Sequence, residues 1–244
     1  MNVDIEYWND SLESFEPYDV DESPFEKDNE YFLKIIGDVN NKKLLDIGCG
    51  NGETSMYFAR RGAIVTSIDM SETAVNNTLK NAELHKVKVN AFRLDALEIN
   101  KISDKFDLII GKFILHHIEP FVQFVENLYK IVDNNGRAVF YENNARNKIL
   151  MFFRKTVVGR FGVPKYGDNQ EYPFTYLEFK MIKNRFKTVK LYYPQFRFFS
   201  LLAPYIFKNN EKSNRITRKI DNFVYTKIPF FNRYSYIQII DAYK

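Results

Sequence analysis

The sequence predicts an α/β fold in which a doubly wound, mostly parallel β-sheet carries helices on both faces. Apolar runs of strand length alternate with helical stretches along the chain, and this order produces right-handed crossovers between parallel strands. One run, residues 106–111, is apolar at nearly every position, as a strand buried on both faces should be. At 244 residues, the chain fits one domain of this kind with appendages.

Local signals place the elements in order. A helix is expected from about residue 26 to residue 37. Ser71 is a suitable N-cap for a helix that ends near His85, and Thr175 with Glu178 forms a capping box for another. A turn rich in Asp, Asn and Gly, residues 133–136, leads into the fifth strand. Strands are predicted at residues 44–47, 63–69, 87–94, 106–111, 137–142, 186–193 and 235–243.

A glycine-rich loop follows the first strand. Gly48, Gly50 and Gly52 alternate with other residues, and a helix-compatible segment follows. Glycines suit a backbone that turns sharply and touches a ligand directly, because no Cβ intervenes. The N–H groups at the start of the next helix suit a carboxylate or a phosphate. A dinucleotide-binding loop has its third glycine one residue later, where this chain has Glu53, so an NAD-dependent dehydrogenase is disfavoured.

Together with Leu45 and Asp46, this loop closely resembles the first motif of the Rossmann-like (class I) S-adenosylmethionine-dependent methyltransferases. The resemblance covers about residues 42–142. It implies a seven-stranded sheet with an antiparallel last strand, and a glycine loop beneath the methionine part of S-adenosyl-L-methionine. An acid after the second strand, Asp69, suits the ribose hydroxyls, and the resemblance places Asp95 against the adenine amino group. The residues expected around the cofactor are Asp46, Gly48, Cys49, Gly50, Gly52, Asp69, Met70, Asp95, Ala96, Gly111 and Lys112.

Two histidines follow the fourth strand, at the sheet edge where ligands bind. His116 or His117 is a candidate general base, because histidine titrates near neutral pH. The Leu-His-His phrase also occurs in methyltransferases whose histidine has no catalytic role, so a structural or cofactor-edge role stays open. Adjacent histidines point apart, and no metal site is predicted. Glu142 and Asn143 leave the fifth strand where they would orient a substrate or cap the loop.

Three regions are expected along the chain: an N-terminal arm (1–37), a cofactor-binding core (38–145), and acceptor-binding segments with the final strands (146–244). Within the arm, Tyr7, Trp8 and Tyr18 are expected on the substrate side. The arm would either close as a lid that excludes water or simply anchor a terminal helix. An unusually aromatic insertion, about 194–233, would form the acceptor pocket, a membrane-surface helix or ordinary core packing.

Charge is distributed unevenly although the net charge is only +4. Residues 1–30 contain eleven carboxylates and one lysine, whereas residues 146–165 contain six basic residues and no acid. Residues 208–233 contain seven basic residues and two acids. Solvated surface charge is the plain interpretation. The alternatives are an acidic arm laid over a basic C-terminal half, or a basic face for an anionic substrate or membrane.

Composition also bears on where in the cell the protein is located. No apolar stretch approaches the ~20 residues of a membrane-spanning helix, and the N-terminus lacks the basic start and apolar run of a signal peptide. A single cysteine fits a reducing compartment, so a cytoplasmic protein is expected, with peripheral membrane contact left open. No feature predicts an oligomeric state.

The expected acceptor is a small molecule or a lipid- or glycan-type molecule, with O-methylation ranked before N- and C-methylation. An RNA methyltransferase is one alternative, and a non-catalytic partner protein that binds S-adenosylmethionine is another. Nucleic acid is disfavoured as a partner because the N-terminus is acidic and no RNA-binding module is recognisable.

Overall fold

The computed structural model describes residues 5–20, 24–158, 160, 172–207 and 210–244. Seven strands within these ranges form one sheet. The strands are β1 (Lys43–Ile47), β2 (Ile64–Asp69), β3 (Val89–Arg93), β4 (Phe106–Lys112), β5 (Val132–Asn143), β6 (Thr188–Tyr192) and β7 (Ile237–Tyr243). Their spatial order is β3-β2-β1-β4-β5-β7-β6.

The first five strands run parallel, and β7 runs antiparallel to both β5 and β6. The predicted sheet, with seven mostly parallel strands and an antiparallel last one, is therefore confirmed. The strand order reverses between β1 and β4, which lie side by side. In doubly wound sheets, the carboxyl ends of the strands at such a reversal border the ligand site.

Helices in the described ranges begin where the sequence provides capping groups. The Ser71 side chain accepts a hydrogen bond from the Ala74 N–H, and the capping box of Thr175 and Glu178 is present. The helices are α1 (Ile5–Glu13), α2 (Phe25–Ile36), α3 (Glu53–Ala59), α4 (Glu72–His85), α5 (Phe121–Ile131), α6 (Lys148–Thr156), α7 (Tyr176–Arg185), α8 (Phe199–Phe207) and α9 (Glu211–Lys227). None of them is long and apolar enough to cross a membrane.

Two apolar clusters pack against the two faces of the sheet. Leu45 and Ile47 of β1 belong to one cluster, and Leu44 belongs to the other, as the alternation of side chains along a strand requires. The first cluster includes buried residues of α5 and α7, and the second includes buried residues of α2 and α3. The doubly wound arrangement is thereby confirmed.

Arg137 of β5 ties α2 to the sheet. Its Nη1 lies 3.1 Å from Oδ2 of the fully buried Asp241 on β7, and its Nη2 donates to the backbone carbonyls of Ile35 and Ile36. Those carbonyls are at the C-terminal end of α2 and have no partner within the helix, so a cation stabilises them. Helix α2 is consequently part of the core, and a lid can involve only the residues before it.

One sequence expectation needs correction. Residues 133–136 do not form a turn before β5; they lie inside β5 as an irregularity in which Val132 pairs with Phe106 and Arg137 with Leu108. Among the described residues, two acids of the arm lie close to the two arginines that follow α3. Asp19 lies 2.7 Å from Arg60, and Glu26 lies 3.6 Å from Arg61.

Candidate active site

The glycine loop opens onto empty space at the carboxyl end of β1. Gly48 and Gly50 have φ angles of 71° and 53°, in the left-handed region that favours glycine. A Cβ on Gly48 would lie 2.8 Å from the side chain of Ile114, whereas a Cβ on Gly50 would meet nothing within 4 Å. Gly48 therefore permits close packing, and Gly50 presents bare backbone to the space in front of the loop.

That space is a cavity of about 670 Å³, a suitable size for a small ligand. It is bordered by the carboxyl ends of β1, β2 and β4 and by the segment after β3. Seven of the eleven predicted cofactor residues line it: Gly48, Gly50, Asp69, Met70, Asp95, Ala96 and Lys112. The structure thus brings together residues from four separate segments of the chain, as the sequence predicted. We call this space the first cavity.

Asp69 is fixed at the rim of the first cavity by two backbone groups. One carboxylate oxygen accepts the Gly50 N–H at 3.0 Å, and the other accepts the Ser71 N–H at 2.9 Å. Burial raises the pKa of Asp69, although these hydrogen bonds act in the opposite direction. Each oxygen retains a lone pair that can accept a hydroxyl from a ligand.

Asp95 borders the same cavity at the end of the segment after β3. Its Oδ1 accepts the Leu97 N–H at 2.8 Å, and no described residue donates to its Oδ2. Leu94, Leu97 and Met70 add apolar walls around it. A carboxylate oxygen within an apolar recess can accept a hydrogen bond from the amino group of a flat ring.

Four of the predicted cofactor residues do not line the first cavity. Asp46 is buried and accepts a hydrogen bond from Ser55 Oγ at 2.6 Å, and burial raises its pKa to about 6. Cys49 is buried against Thr78, and burial raises the pKa of its thiol. Gly52 and Gly111 instead allow close packing, because a Cβ on either would lie within 3.0 Å of a neighbouring side chain.

The two histidines occupy different environments. His116 is buried, and its Nδ1 lies 2.7 Å from Oε2 of Glu142. The other oxygen of Glu142 accepts the N–H groups of Ile114 and Leu115. His117 lines the first cavity, and its ring lies 4.1 Å from that of His116. Glu142 is therefore a buried anchor for the turn after β4.

Residues of the N-terminal arm line part of the first cavity. Ile5 and Leu12 of α1 line the first cavity, and the Leu12 carbonyl accepts a hydrogen bond from Asn77 of α4 at 2.9 Å. Tyr7 is exposed and lines neither cavity described here. Trp8 is on α1, but its side chain is outside the described part of the structure.

A second cavity, of about 580 Å³, adjoins the first. Lys112 and Phe113 line both cavities. Tyr18, Phe25 and Tyr141 give the second cavity aromatic walls. Of the residues expected on the substrate side, Tyr18 lines the second cavity. Glu142 and Asn143 border neither of these two cavities, and neither does any described residue of the aromatic insertion.

Sequence reasoning missed several lining residues. Ile114, Ile118 and Glu119 belong to the connection after β4, whose position at the ligand edge was predictable even though these side chains were not singled out. The sequence did not predict that Ile5 and Leu12 line the cavity. The periodicity of a short terminal helix indicates its apolar face but not the surface against which that face packs. Among the described residues, no group of three His, Cys, Asp or Glu side chains is arranged to hold a metal ion.

Comparison with known proteins gives a family match. The model of a family described as a methyltransferase domain matches residues 38–172. The chain is 30% identical over 121 residues to a ubiquinone biosynthesis O-methyltransferase of Coxiella burnetii, with 50% of each chain covered. It is 31% identical over 118 residues to the protein of that name in Rickettsia conorii, with 48% of this chain and 40% of the relative covered. The chain spans about half the length, or less, of these curated relatives.

A solved structure extends the likeness to the whole fold. Magnesium protoporphyrin IX methyltransferase from Synechocystis PCC 6803, with bound SAH, superposes with a TM-score of 0.60. The match covers 98% of this chain and 94% of that chain at 15% identity. At this identity, the likeness shows a shared fold and not a shared substrate.

Replacing Asp46 by asparagine should change stability in a pH-dependent way. In the folded chain, the pKa of Asp46 is about 6 because of burial, whereas an unfolded aspartate has a pKa of ~3.9. The folded state therefore binds more protons between about pH 4 and pH 6, and stability is lost as the pH rises through that interval. Asparagine does not titrate. As the pH rises from about 4 to about 7, the free energy of unfolding of the variant should therefore increase by about 1–3 kcal/mol relative to that of wild type.

Urea unfolding of wild type and Asp46→Asn at both ends of this range measures the change. Asp104→Asn is the matched control, because the Asp104 side chain is 56% exposed. An Asp46→Asn difference that is equal at both pH values would contradict the expected titration.

Proposed function

This chain belongs to the methyltransferase domain family, and from that membership we propose that it transfers a methyl group from S-adenosyl-L-methionine to a small-molecule acceptor. The family predicted from the glycine loop is thereby confirmed. The observation that carries the proposal is the first cavity, which is lined by the bare backbone of Gly50 and by the carboxylates of Asp69 and Asp95. O-methylation ranks first, and the two curated relatives named as O-methyltransferases support this ranking.

The residues of the first cavity fit the parts of this cofactor. Asp69 has lone pairs for the ribose hydroxyls, and Asp95 has an oxygen for the adenine amino group. The carboxylate of Asp46, buried behind the loop, supplies negative charge near the methionine end. When bound, S-adenosyl-L-methionine supplies a methyl group on a sulfonium, and the chain supplies alignment and exclusion of water.

The histidines divide their roles in this proposal. His116 holds the turn after β4 through Glu142, and His117 lines the first cavity. The general-base role predicted for either histidine stays a prediction. Because Nδ1 of His116 is bound to Glu142, His117 is the member of the pair with access to a ligand.

We propose that α1 acts as a lid over the first cavity. Among the contacts of its described residues, Leu12 and Ile5 face the cavity, Asn77 donates to the Leu12 carbonyl, and Ser71 Oγ donates to the Asn9 side chain. A helix near a chain terminus that is held by such contacts can open at low cost, and closure excludes water from the site.

We also propose that α9 contacts an anionic membrane surface. Ile216, Ile220 and Phe223 are 40–58% exposed and recur at the spacing of one helical face. Lys212, Lys219 and Lys227 flank this apolar stripe. The opposite face is anchored by buried Asp221, which accepts the backbone N–H groups of Phe198, Phe199 and Ser200 at the start of α8. An apolar stripe bordered by lysines suits a bilayer with negatively charged lipids.

Calorimetry with S-adenosylhomocysteine tests the cofactor site. Wild type should bind it, and Asp69→Ala should weaken binding by about 10- to 100-fold, because each hydrogen bond to a charged group contributes ~1.5–3 kcal/mol. Asp104→Ala, at an exposed carboxylate before β4, should bind as wild type does.

The outcomes separate the alternative functions. Absence of binding, or binding unaffected by Asp69→Ala, would defeat the cofactor assignment. If the protein binds, incubation with labelled S-adenosyl-L-methionine and a cell extract should label a small molecule. Labelled RNA would establish the nucleic-acid alternative, and no labelled product at all would favour a non-catalytic partner.

Removal of residues 1–13 should leave the fold intact, because Val20 and α2 remain in the core. Turnover of the labelled acceptor should fall about tenfold or more, since water then reaches the site and alignment is lost. Circular dichroism checks the fold. A truncated chain with the kcat and cofactor affinity of the full chain would show that α1 is not a lid.

Flotation with lipid vesicles tests the α9 surface. The full chain should bind vesicles that contain phosphatidylglycerol, more weakly at high salt, and should not bind pure phosphatidylcholine. The triple variant Ile216→Ser, Ile220→Ser, Phe223→Ser should lose most of this binding. The matched control carries Ile64→Ser, Leu84→Ser and Val122→Ser, at other exposed apolar positions. Equal loss in both triple variants would contradict a specific α9 surface.

A further inference from the structure

We infer that the second cavity holds the acceptor, an aromatic molecule with a hydroxyl group, and that Lys112 takes the proton from that hydroxyl. This inference rests on the proposed methyl transfer and adds to it the acceptor site and the base. Its starting point is a lysine at the end of β4 that lines the first and the second cavity at once.

The Lys112 ammonium has no ion-pair partner in the described part of the chain. No described carboxylate lies within 4.0 Å of its Nζ, and no described side chain or carbonyl accepts a hydrogen bond from it. Its nearest aromatic neighbour is Phe25, whose ring centroid is 5.0 Å from Nζ. Lys112 is half-buried where the two cavities meet, so its amine is placed to act on a ligand in either cavity.

Burial of Lys112 favours the neutral amine, and the carboxylates around it favour the ammonium. Burial lowers the pKa of Lys112, whereas Glu53 of α3, Asp46 of β1 and Asp28 of α2 act in the opposite direction. Tyr141 of β5 faces the same cavity, and burial raises the pKa of its phenol, so it stays uncharged. A sulfonium in the first cavity adds a positive charge nearby, which favours the neutral amine further.

The walls of the second cavity indicate the acceptor class. Phe25, Tyr141, Tyr18 and Phe113 present aromatic surfaces, which pack well against a flat ring. Phe113 has a φ of 54°, a strained conformation for a bulky residue, and its N–H is bound to the Tyr141 carbonyl at 2.8 Å. This conformation keeps Phe113 between the two cavities, where it can align an aromatic acceptor with the methyl group.

The proton and electron balance is simple. An oxygen lone pair of the acceptor forms the new O–CH₃ bond as the S–CH₃ bond breaks, and that electron pair stays on sulfur. The hydroxyl proton passes to the neutral amine of Lys112. The positive charge leaves the first cavity as the sulfonium becomes a thioether, and the lysine then carries it as an ammonium. The proton is released to water when the product leaves.

The histidines are less suitable for this step. His116 is buried against Glu142, and His117 borders only the first of the two cavities. Lys112 alone among these three residues borders both.

Side-chain NMR of the full chain with ¹⁵N-labelled lysine tests the base directly and needs no acceptor. The Lys112 signal is assigned by its loss in Lys112→Arg. The pKa of its amine should lie below the usual lysine value of ~10.4, and S-adenosyl-L-methionine should lower that pKa more than S-adenosylhomocysteine, which lacks the positive charge. If both ligands bind and the pKa of Lys112 is the usual lysine value in each complex, the inference is wrong. If neither ligand binds, the cofactor site itself is wrong.

Kinetics with two probe phenols test the proton transfer. With catechol, Lys112→Met and Lys112→Arg should both reduce kcat about 100-fold or more, while the KM for S-adenosyl-L-methionine changes little. With 4-nitrophenol, which is largely ionised at mildly alkaline pH, the loss should be small because no proton has to be removed. Lys183→Met is the matched control and should behave as wild type.

Other outcomes count against the inference. Wild-type kcat in Lys112→Arg would show that a fixed positive charge suffices and no base is needed. A decrease in His117→Gln that 4-nitrophenol restores, with Lys112→Met unaffected, would assign the base to His117. Failure of wild type to methylate either phenol would refute the aromatic hydroxyl acceptor.

Discussion

The shape of the site depends on one buried carboxylate, that of Glu142. It is fully buried and binds the N–H groups of Ile114 and Leu115 together with the ring of His116. Hydrogen bonds to a charged acceptor contribute ~1.5–3 kcal/mol each, and an unpaired charge here would be costly. The turn after β4 is therefore held in one conformation. The side chain of Ile114, in that turn, packs so close to Gly48 that a Cβ at position 48 would collide with it.

Three carboxylates lie at the carboxyl edge of the sheet. Asp69 and Asp95 border the first cavity, and Asp46 is buried behind the loop. The oxygens of Asp69 are held by backbone N–H groups before any ligand arrives, so little reorganisation is needed on binding. Lys112 is at the boundary of this acidic region, where the first and the second cavity meet.

The sequence predicted the strands, the glycine loop and the acids at the strand ends, because each follows from a local pattern of apolar residues and turn residues. It did not predict that Glu142 anchors His116, since that contact joins two strand ends that come together only in the folded sheet. Lys112 was expected at the cofactor, but its place in a second cavity depends on Tyr18 and Phe25 from the arm. Such tertiary contacts leave no periodic signal in the chain.

The attachment of the arm determines how α1 can move. Val20 is buried, and the His85 ring contacts the backbone of Tyr18 and Val20, so the chain is fixed to the core a few residues after α1. The helix is thus a tethered ligand with a high effective concentration at its own binding surface, and the short tether keeps the entropy cost of closing low. In the proposed lid role, the residence time of α1 on α4, rather than diffusion of the arm, would control the exchange of a molecule in the first cavity.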